Sequence, residues 1–224
     1  MDNTVGSFGS LYLGVNNKAV RKIRDSLKLS KIQKSFIYGT MLGDGCIYGQ
    51  QSSHQEKNYR LQIIQSNKQK ELVLWKYEIL KNFILKEPKY LRVNNSWRFR
   101  TISHPEITEI YNLFYKNGKK RLPDNIKEIL KDKLSLAVWF MDDGNISRYG
   151  DKIRGYHINT QSFSYEENLK LSELFKNILG LEIFVPKNKG KYRLYIGSKS
   201  RIIFPKLIEK NIIPSLRYKL GSQI

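Results

Sequence analysis

Cysteine is almost absent from this chain, since Cys46 is the only one among 224 residues. A single thiol excludes a disulfide framework and a zinc site built from cysteines. The three histidines, His54, His104 and His157, stand far apart in the sequence and form no metal motif by local spacing. The sequence therefore predicts neither a disulfide-stapled fold nor a metal centre made of cysteine or histidine.

Long hydrophobic runs are also missing. No apolar stretch approaches the ~18 residues that a membrane-spanning helix needs. The N-terminal segment MDNTVGSFGSLYLG lacks the basic start and the long apolar run of a secretory signal peptide. We therefore expect a soluble, intracellular protein without a membrane partner. The wealth of Lys, Asn, Ile and Tyr is typical of an AT-rich genome, which favours a mitochondrion or chloroplast.

Acidic residues are scarce beside basic ones. The chain has 20 Asp and Glu against 40 Lys and Arg, for a formal net charge of +20. An excess spread over the whole chain indicates a polyanionic partner and favours nucleic acid over an anionic membrane surface. Binding to such a partner should weaken steeply with salt, because phosphate contacts release counterions.

Two apolar stretches, far apart in the chain, end in the same way. FIYGTMLGDG and SLAVWFMDDG each have helical character up to an Asp-Gly pair, at Asp44 and at Asp143. Glycine is common just past a helix end, but an aspartate there opposes the helix dipole at a cost of about 0.3–1 kcal/mol. A divalent cation shared by the two carboxylates would offset that cost at both ends.

Small residues favour close packing of these two predicted helices. Gly39 and Gly43 are four residues apart and lie on one helix face. If the helices pack in parallel, their C-terminal ends meet and Asp44 lies beside Asp143. Paired carboxylates facing a phosphate backbone are the ingredients of metal-assisted phosphodiester hydrolysis.

The two halves of the chain repeat each other at an offset of 99 residues, which separates Asp44 from Asp143 and Lys120 from Lys219. Between these landmarks a strand ending near a glutamine, an amphipathic helix, a hairpin and a further helix follow in the same order. The pattern predicts helix, two strands, helix, two strands, helix, twice, in lobes of residues 1–124 and 125–224.

The motifs FIYGTMLGDG and SLAVWFMDDG resemble two divergent copies of the motif of the LAGLIDADG homing endonucleases, of the monomeric, intron-encoded type. The resemblance covers roughly Ser30 to Lys219. It implies an α+β fold, a pseudo-twofold pair of αββαββα repeats whose curved antiparallel sheets form a saddle over DNA. It also implies a site-specific endonuclease that cuts one phosphodiester on each strand of a long asymmetric site, leaving 3′ overhangs.

The same resemblance implies roles for four matched pairs of residues. They are the metal-binding acids Asp44 and Asp143, the metal-facing backbone carbonyls of Gly43 and Asp142, the water-ordering Gln65 and Gln161, and the basic Lys120 and Lys219 near the scissile phosphate. The implied cofactor is Mg²⁺; we expect Mn²⁺ to substitute and Ca²⁺ to support DNA binding without cleavage.

Two positions depart from the family motif. Asp142 stands where the motif has a small residue, and it could cap the helix, repel a metal or make the two strand-cleavage sites unequal. Val138 replaces the first glycine of the motif, which predicts asymmetric helix packing. Lys119 is a rival to Lys120, but the 76-residue spacing from acid to lysine is the same in both halves only with Lys120.

Strand alternation predicts the DNA-binding face of each sheet. Trp97 and Phe99 should face the core, while the polar residues between them face bases and phosphates. The candidates in the first half are Tyr48, Gln50, Arg60, Gln62, Arg92, Arg98 and Arg100. The candidates in the second half are Ser147, Tyr149, Lys152, Arg154, Asn159, Lys187, Lys189, Lys191, Arg193, Tyr195 and Lys199. The alternation around His157 leaves two registers open.

Two other functions remain compatible with these residues. The same scaffold could serve as an intron RNA maturase, or as a DNA-binding protein that does not cut. The retained Asp44 and Asp143 favour the endonuclease, with double-stranded DNA as partner and a monomer as the active form.

Overall fold

The computed structural model describes residues 18–49 and 58–221. The predicted DNA contact Gln50 and the N-terminal segment lie outside the described residues. The α-helices are α1 (Lys18–Ser26), α2 (Lys31–Leu42), α3 (Lys70–Leu80), α4 (Pro105–Phe114), α5 (Ile126–Lys131), α6 (Lys133–Asp143), α7 (Tyr165–Leu179) and α8 (Ser200–Ile208). Short 3-10 helices cover Asn67–Gln69, Lys81–Phe83, Arg92–Asn94, Glu209–Asn211 and Pro214–Leu220.

The strands form two sheets of the same design. They are β1 (Cys46–Tyr48), β2 (Arg60–Ser66), β3 (Lys89–Leu91), β4 (Ser96–Arg100), β5 (Tyr115–Lys116), β6 (Lys119–Lys120), β7 (Gly144–Tyr149), β8 (Lys152–Ile158), β9 (Ile183–Phe184), β10 (Lys187–Asn188), β11 (Lys191–Tyr192) and β12 (Leu194–Ile196). The antiparallel sheets have the orders β1-β2-β4-β3 and β7-β8-β12-β9, and the pairs β5-β6 and β10-β11 form separate hairpins. This confirms the predicted α+β fold with two matched repeats.

The sequence predicted the main elements but not the small ones that carry the lysines. Lys120 lies in the hairpin β5-β6, and Lys219 lies in the 3-10 helix Pro214–Leu220. The helix α5 joins the two repeats. The predicted boundary after residue 124 falls between β6 and α5, and it stays a prediction. No helix in the described part of the chain is long and apolar enough to cross a bilayer.

Helices α2 and α6 begin at side-chain caps that the sequence provides. The hydroxyl of Ser30 accepts a hydrogen bond from the backbone N–H of Gln33, whose side chain accepts one from the N–H of Ser30. In α6 the carboxylate of Asp132 accepts from the N–H of Leu134. Such caps satisfy N–H groups that a helix start leaves without intrahelical partners.

The two helices pack against each other in parallel at the centre of the molecule. The hydroxyl of Ser135 donates to the carbonyl oxygen of Ser35 at 2.8 Å. A Cβ atom added at Gly39 would lie 2.3 Å from the carbonyl oxygen of Ser135, and one at Gly43 would lie 2.6 Å from the Cβ of Asp142. The contacts advance together along both helices, so their C-terminal ends meet, as the glycine spacing predicted.

Candidate active site

The matched acids stand at the meeting ends of α2 and α6. Asp44 follows α2 and is exposed, whereas Asp143 is the last residue of α6 and is partly buried. The carbonyl oxygen of Asp143 accepts hydrogen bonds from the backbone N–H and the side-chain amide of Asn159, at 3.0 and 2.8 Å. The backbone at this end of α6 is therefore held by the segment that follows β8.

Asp143 is electrostatically crowded. Burial, and then the neighbouring carboxylates of Asp44 and Asp142, raise the pKa of Asp143 to about 8, while Lys120 and Lys219 oppose the rise. Clustered acids disfavour one another's charged forms. A cation placed here would relieve that repulsion and displace a proton.

We expect Asp143→Asn to stabilise the metal-free protein. The folded-state pKa of about 8 lies above the unfolded value, so the folded protein holds the proton more tightly and loses stability as pH rises from about 4 to about 8. Asparagine avoids this loss. In EDTA the variant should melt a few degrees higher than the wild type at about pH 8, with a smaller gain near pH 5.

Differential scanning fluorimetry across this pH range checks the expectation. Asp151→Asn is the matched control, because Asp151 is an exposed turn acid whose neutralisation should leave the melting temperature unchanged. A gain in melting temperature for Asp143→Asn that grows toward acid pH, or no gain at all, would show that folding does not raise the pKa of this carboxylate.

Each predicted lysine reaches the end of the motif helix in its own half. The Nζ of Lys120 donates to the carbonyl oxygens of Gly43 and Gly45 at 2.7 and 3.1 Å. The Nζ of Lys219 donates to the carbonyl oxygens of Met141 and Asp142 at 2.6 and 3.5 Å. The carbonyls that we expected to face a metal are thus lysine acceptors in this structure.

The setting of these lysines distinguishes them from ordinary surface residues. Burial lowers the pKa of Lys120 and of Lys219, and the nearby aspartates oppose the change. The rival Lys119 is exposed in β6. The structure therefore brings Lys120 to the acids and leaves Lys119 in solvent.

Gln65 hydrogen-bonds to both Asp44 and Asp142. Its predicted counterpart, Gln161, lies at a different position in the second half. The Nε2 of Gln65 donates to Asp44 Oδ2 at 3.0 Å and to Asp142 Oδ1 at 3.2 Å. Strand pairing aligns Cys46 with Gln62 and Asn145 with His157. Because Asn145 lies 99 residues after Cys46, this register matches Gln65 with Thr160.

This register differs by one residue from the predicted match of Gln65 with Gln161, whose role at the site stays a prediction. Thr160 is buried and donates to Asn168 Oδ1 at 2.5 Å, whereas Gln161 lies in the turn that follows. The second half has no glutamine at the place that Gln65 occupies.

Asp142 is the centre of a buried polar cluster that the sequence reading missed. Its Oδ1 lies 2.5 Å from Lys76 Nζ, and both side chains have 0% exposure. Thr40 donates to Asp142 Oδ2 at 2.7 Å, and Lys76 donates to Thr40 Oγ1 at 2.6 Å. Burial raises the pKa of Asp142, and Lys76 opposes the rise. The carboxylate pairs with a lysine and does not cap the helix.

A signal for this cluster was present in the sequence. Lys76 lies midway between Leu72 and Leu80, at intervals of four, on the buried face of α3. A lysine on the apolar stripe of a helix needs a buried partner, because an unpaired buried ammonium is costly. The partner is 66 residues away along the chain, which local pattern cannot reveal.

The outward face of the first sheet carries the predicted polar set. Register places Tyr48 opposite Arg60 and Gln62 opposite Arg100, and Arg98 lies on the same face by alternation. The Nε of Arg100 donates to Gln62 Oε1 at 2.7 Å, and its guanidinium lies 5.5 Å from the ring centre of Tyr48. Arg92 is exposed in the 3-10 helix Arg92–Asn94 and not in a strand.

The pairing of β7 with β8 settles the register around His157, which strand alternation had left open. A β-bulge between Ser147 and Arg148 then shifts the alternation along these strands. His157 pairs with Asn145 and with Tyr195, and these three share the outward face with Ser147. Asn145 and His157 thus belong to the outward face of the second sheet, although the sequence did not single them out as candidates for DNA contact.

Beyond the bulge, Tyr149 pairs with Lys152, and Arg154 lies 5.3 Å from the ring centre of Tyr149. The side-chain amide of Asn159 donates to the carbonyl oxygen of Asp143 and to Asn145 Oδ1. Asn159 therefore supports the backbone of the acid, and its predicted DNA contact stays a prediction.

The remaining basic candidates lie at the periphery of the second sheet. The hairpin β10-β11 turns through Lys189 and Gly190, both at positive φ, as a tight two-residue turn requires. The side chains of Lys187, Lys189, Lys191 and Lys199 are exposed, while Arg193 is partly buried. Their predicted role as phosphate contacts, which position a duplex without reading it, stays a prediction.

Fold and site together define a pseudo-twofold α+β protein. In each repeat the motif helix, α2 or α6, ends at an aspartate, and a lysine donates to the backbone carbonyls at that helix end. The LAGLIDADG DNA endonuclease family model matches residues 34–204. The chain belongs to that family, which confirms the resemblance predicted from the two motifs.

Relatives and a solved structure agree with this placement. The chain is 30% identical over 221 residues to the probable intron-encoded endonuclease 1 of Wickerhamomyces canadensis, covering 94% of this chain and 93% of that protein. It is 28% identical to the cytochrome b mRNA maturase bI2 of Debaryomyces hansenii, covering 87% and 75%. The homing endonuclease I-WcaI, bound to its DNA recognition sequence, has a similar structure, with a TM-score of 0.82 and 27% identity over 96% of this chain and 97% of that chain.

Proposed function

We propose that this protein is a monomeric homing endonuclease that hydrolyses one phosphodiester on each strand of a long, asymmetric DNA site. The observation that carries the proposal is that Asp44, Asp143, Lys120 and Lys219 lie together at the meeting ends of α2 and α6, where each lysine is close to both acids. Family membership and the similarity to a DNA-bound homing endonuclease support it.

Mg²⁺ is the cofactor we propose, and Asp44 and Asp143 would hold it. Within the described residues, no group of three or more acids, histidines or cysteines forms a self-sufficient metal site. Two carboxylates suit Mg²⁺ that completes its shell with water and substrate phosphate. When bound, it would act as a Lewis acid on the phosphate. Mn²⁺ should substitute, and Ca²⁺ should support binding alone.

The protein's own groups would prepare the phosphate and its nucleophile. Lys120 and Lys219 bring positive charge to the two acid ends, where it would stabilise charge that develops on the phosphate. Gln65 donates to Asp44 and so orients that carboxylate. The outward sheet faces carry arginine, glutamine and tyrosine suited to reading base edges in the major groove.

Two unlike halves in one chain suit an asymmetric target, whereas a symmetric homodimer suits a palindrome. This supports a monomer. We also propose an organellar location, supported by the AT-rich type of composition and by relatives named for cytochrome b mRNA. The same relatives favour intron RNA maturation as a second candidate function.

Cleavage of a randomised-site duplex library by purified protein, in Mg²⁺ and in parallel in Ca²⁺, tests the proposal. Sequencing of the cut ends should recover one asymmetric motif with short 3′ overhangs in Mg²⁺ alone. Bound but uncut duplex in both metals would identify a DNA-binding protein without nuclease activity. Neither binding nor cutting of DNA, together with binding of intron RNA, would favour the maturase.

A further inference from the structure

We propose that the buried Lys76–Asp142 ion pair is a positioning device for one of the two cleavage centres: it fixes Gln65, which holds Asp44, and so sets the cutting rate of one DNA strand. This inference rests on the proposed endonuclease activity.

An unbroken series of hydrogen bonds leads from α3 to the exposed acid. Lys76 lies 2.5 Å from Asp142 Oδ1, and the same oxygen accepts from Gln65 Nε2 at 3.2 Å. Gln65 Nε2 also donates to Asp44 Oδ2 at 3.0 Å. Asp142 thereby fixes the direction of the amide whose other hydrogen bond goes to Asp44.

Thr40 completes the cluster from the motif helix of the first half. Its hydroxyl donates to Asp142 Oδ2 and accepts from Lys76. With both oxygens of Asp142 occupied and both ionic side chains fully buried, the carboxylate has one orientation available. The fixed Asp142 carboxylate holds Gln65, and Gln65 holds the proposed metal ligand Asp44. A metal ligand supported through such a partner is kept in the geometry that metal binding needs.

Among the residues that the structure describes, the cluster has no counterpart on the other side of the pseudo-twofold axis. The offset of 99 residues places Trp139 at the position of Thr40 and Phe175 at the position of Lys76, and those two rings pack with centroids 6.3 Å apart. At the position of Asp142 the first half has Gly43. In the related arrangement, apolar rings therefore stand in place of Thr40 and Lys76, and a glycine stands in place of Asp142.

The donors near the second acid are also different. Thr160, which matches Gln65 by register, bonds to Asn168. Asn159 holds the backbone carbonyl of Asp143. The carboxylate of Asp44 is thus oriented by Gln65, which the buried ion pair holds, whereas Asp143 is held through its backbone carbonyl.

Stability alone does not explain the ion pair. A buried pair gives little net stabilisation compared with apolar residues of similar volume, because desolvation offsets the attraction. What the pair adds here is a fixed acceptor for Gln65. We therefore expect its removal to change the relative rates of the two strands more than it changes the fold.

Strand-resolved cleavage of an end-labelled target duplex in Mg²⁺ tests the inference. The double variant Lys76→Met/Asp142→Ala removes both charges, so that no unpaired ion stays buried. We expect cleavage of the strand that depends on Asp44 to fall about tenfold more than cleavage of the other strand. Gln65→Ala should slow the same strand, and adding it to the double variant should bring little further loss.

Leu80→Ala is the matched control, because Leu80 is buried one turn further along α3. It should lower the melting temperature without changing the ratio of the two strand rates. Equal slowing of both strands in the double variant, or an unchanged ratio, would overturn this inference alone. A wild-type protein that binds the target and cuts neither strand would overturn the proposed function, and this inference with it.

Discussion

Replacing Asp44 or Asp143 by asparagine should reduce DNA cleavage by about a thousandfold or more, with DNA affinity in Ca²⁺ within about threefold of the wild type. Each substitution keeps the side-chain volume and removes one of the two carboxylates at the meeting helix ends. Single-turnover cleavage in Mg²⁺ and equilibrium binding in Ca²⁺, on the same duplex, measure the two effects separately.

Asp124→Asn is the control for this pair of variants. Asp124 is 82% exposed and pairs with Arg121 on the surface, where one ion pair contributes little. It should cut at the wild-type rate. The assignment of Asp44 and Asp143 fails if either asparagine variant keeps wild-type cleavage, or if cleavage falls only because DNA binding is lost.

Lys76→Met alone should destabilise the protein by about 3–5 kcal/mol, because it leaves the buried Asp142 carboxylate without its cation. For a protein of this size, that is a fall of roughly 10 °C in melting temperature. The double variant Lys76→Met/Asp142→Ala should recover most of the loss, since it leaves no buried charge unpaired. Urea denaturation and thermal melting near neutral pH measure both changes.

Lys81→Met controls for a change of lysine to methionine in the same region. Lys81 is exposed and its surface pair with Glu78 is also exposed, so the melting temperature should stay within about 1 °C of the wild type. A Lys76→Met variant as stable as the wild type would contradict a buried ion pair. A double variant no more stable than the single one would contradict the stated cause.

The features that could be predicted from sequence are those that repeat at a fixed offset. Two Asp-Gly helix ends, separated by the same 99 residues as Lys120 and Lys219, predicted both the repeat and the meeting of the acids. Strand alternation predicted the outward face of the first sheet, because β2 and β4 pair without interruption. In these places local pattern and tertiary structure agree.

The errors arose where a single residue changes the register or where partners are distant in sequence. The bulge between Ser147 and Arg148 shifts the alternation of the second sheet by one residue, and the pairing of β7 with β8 matches Gln65 with Thr160, one residue before Gln161. The partnership of Lys76 with Asp142 joins α3 of one half to α6 of the other. No periodicity within either helix contains that contact.

We propose that Asp44 and Asp143 jointly hold divalent metal over the scissile phosphates. The most direct test is anomalous X-ray scattering from Mn²⁺ in crystals of the protein bound to its recovered target duplex. We expect anomalous peaks within coordination distance of the carboxylates of both Asp44 and Asp143, next to backbone phosphate. Peaks elsewhere in a cutting-competent complex, or a complex that cuts with neither acid touching metal, would show that these two acids do not hold the metal.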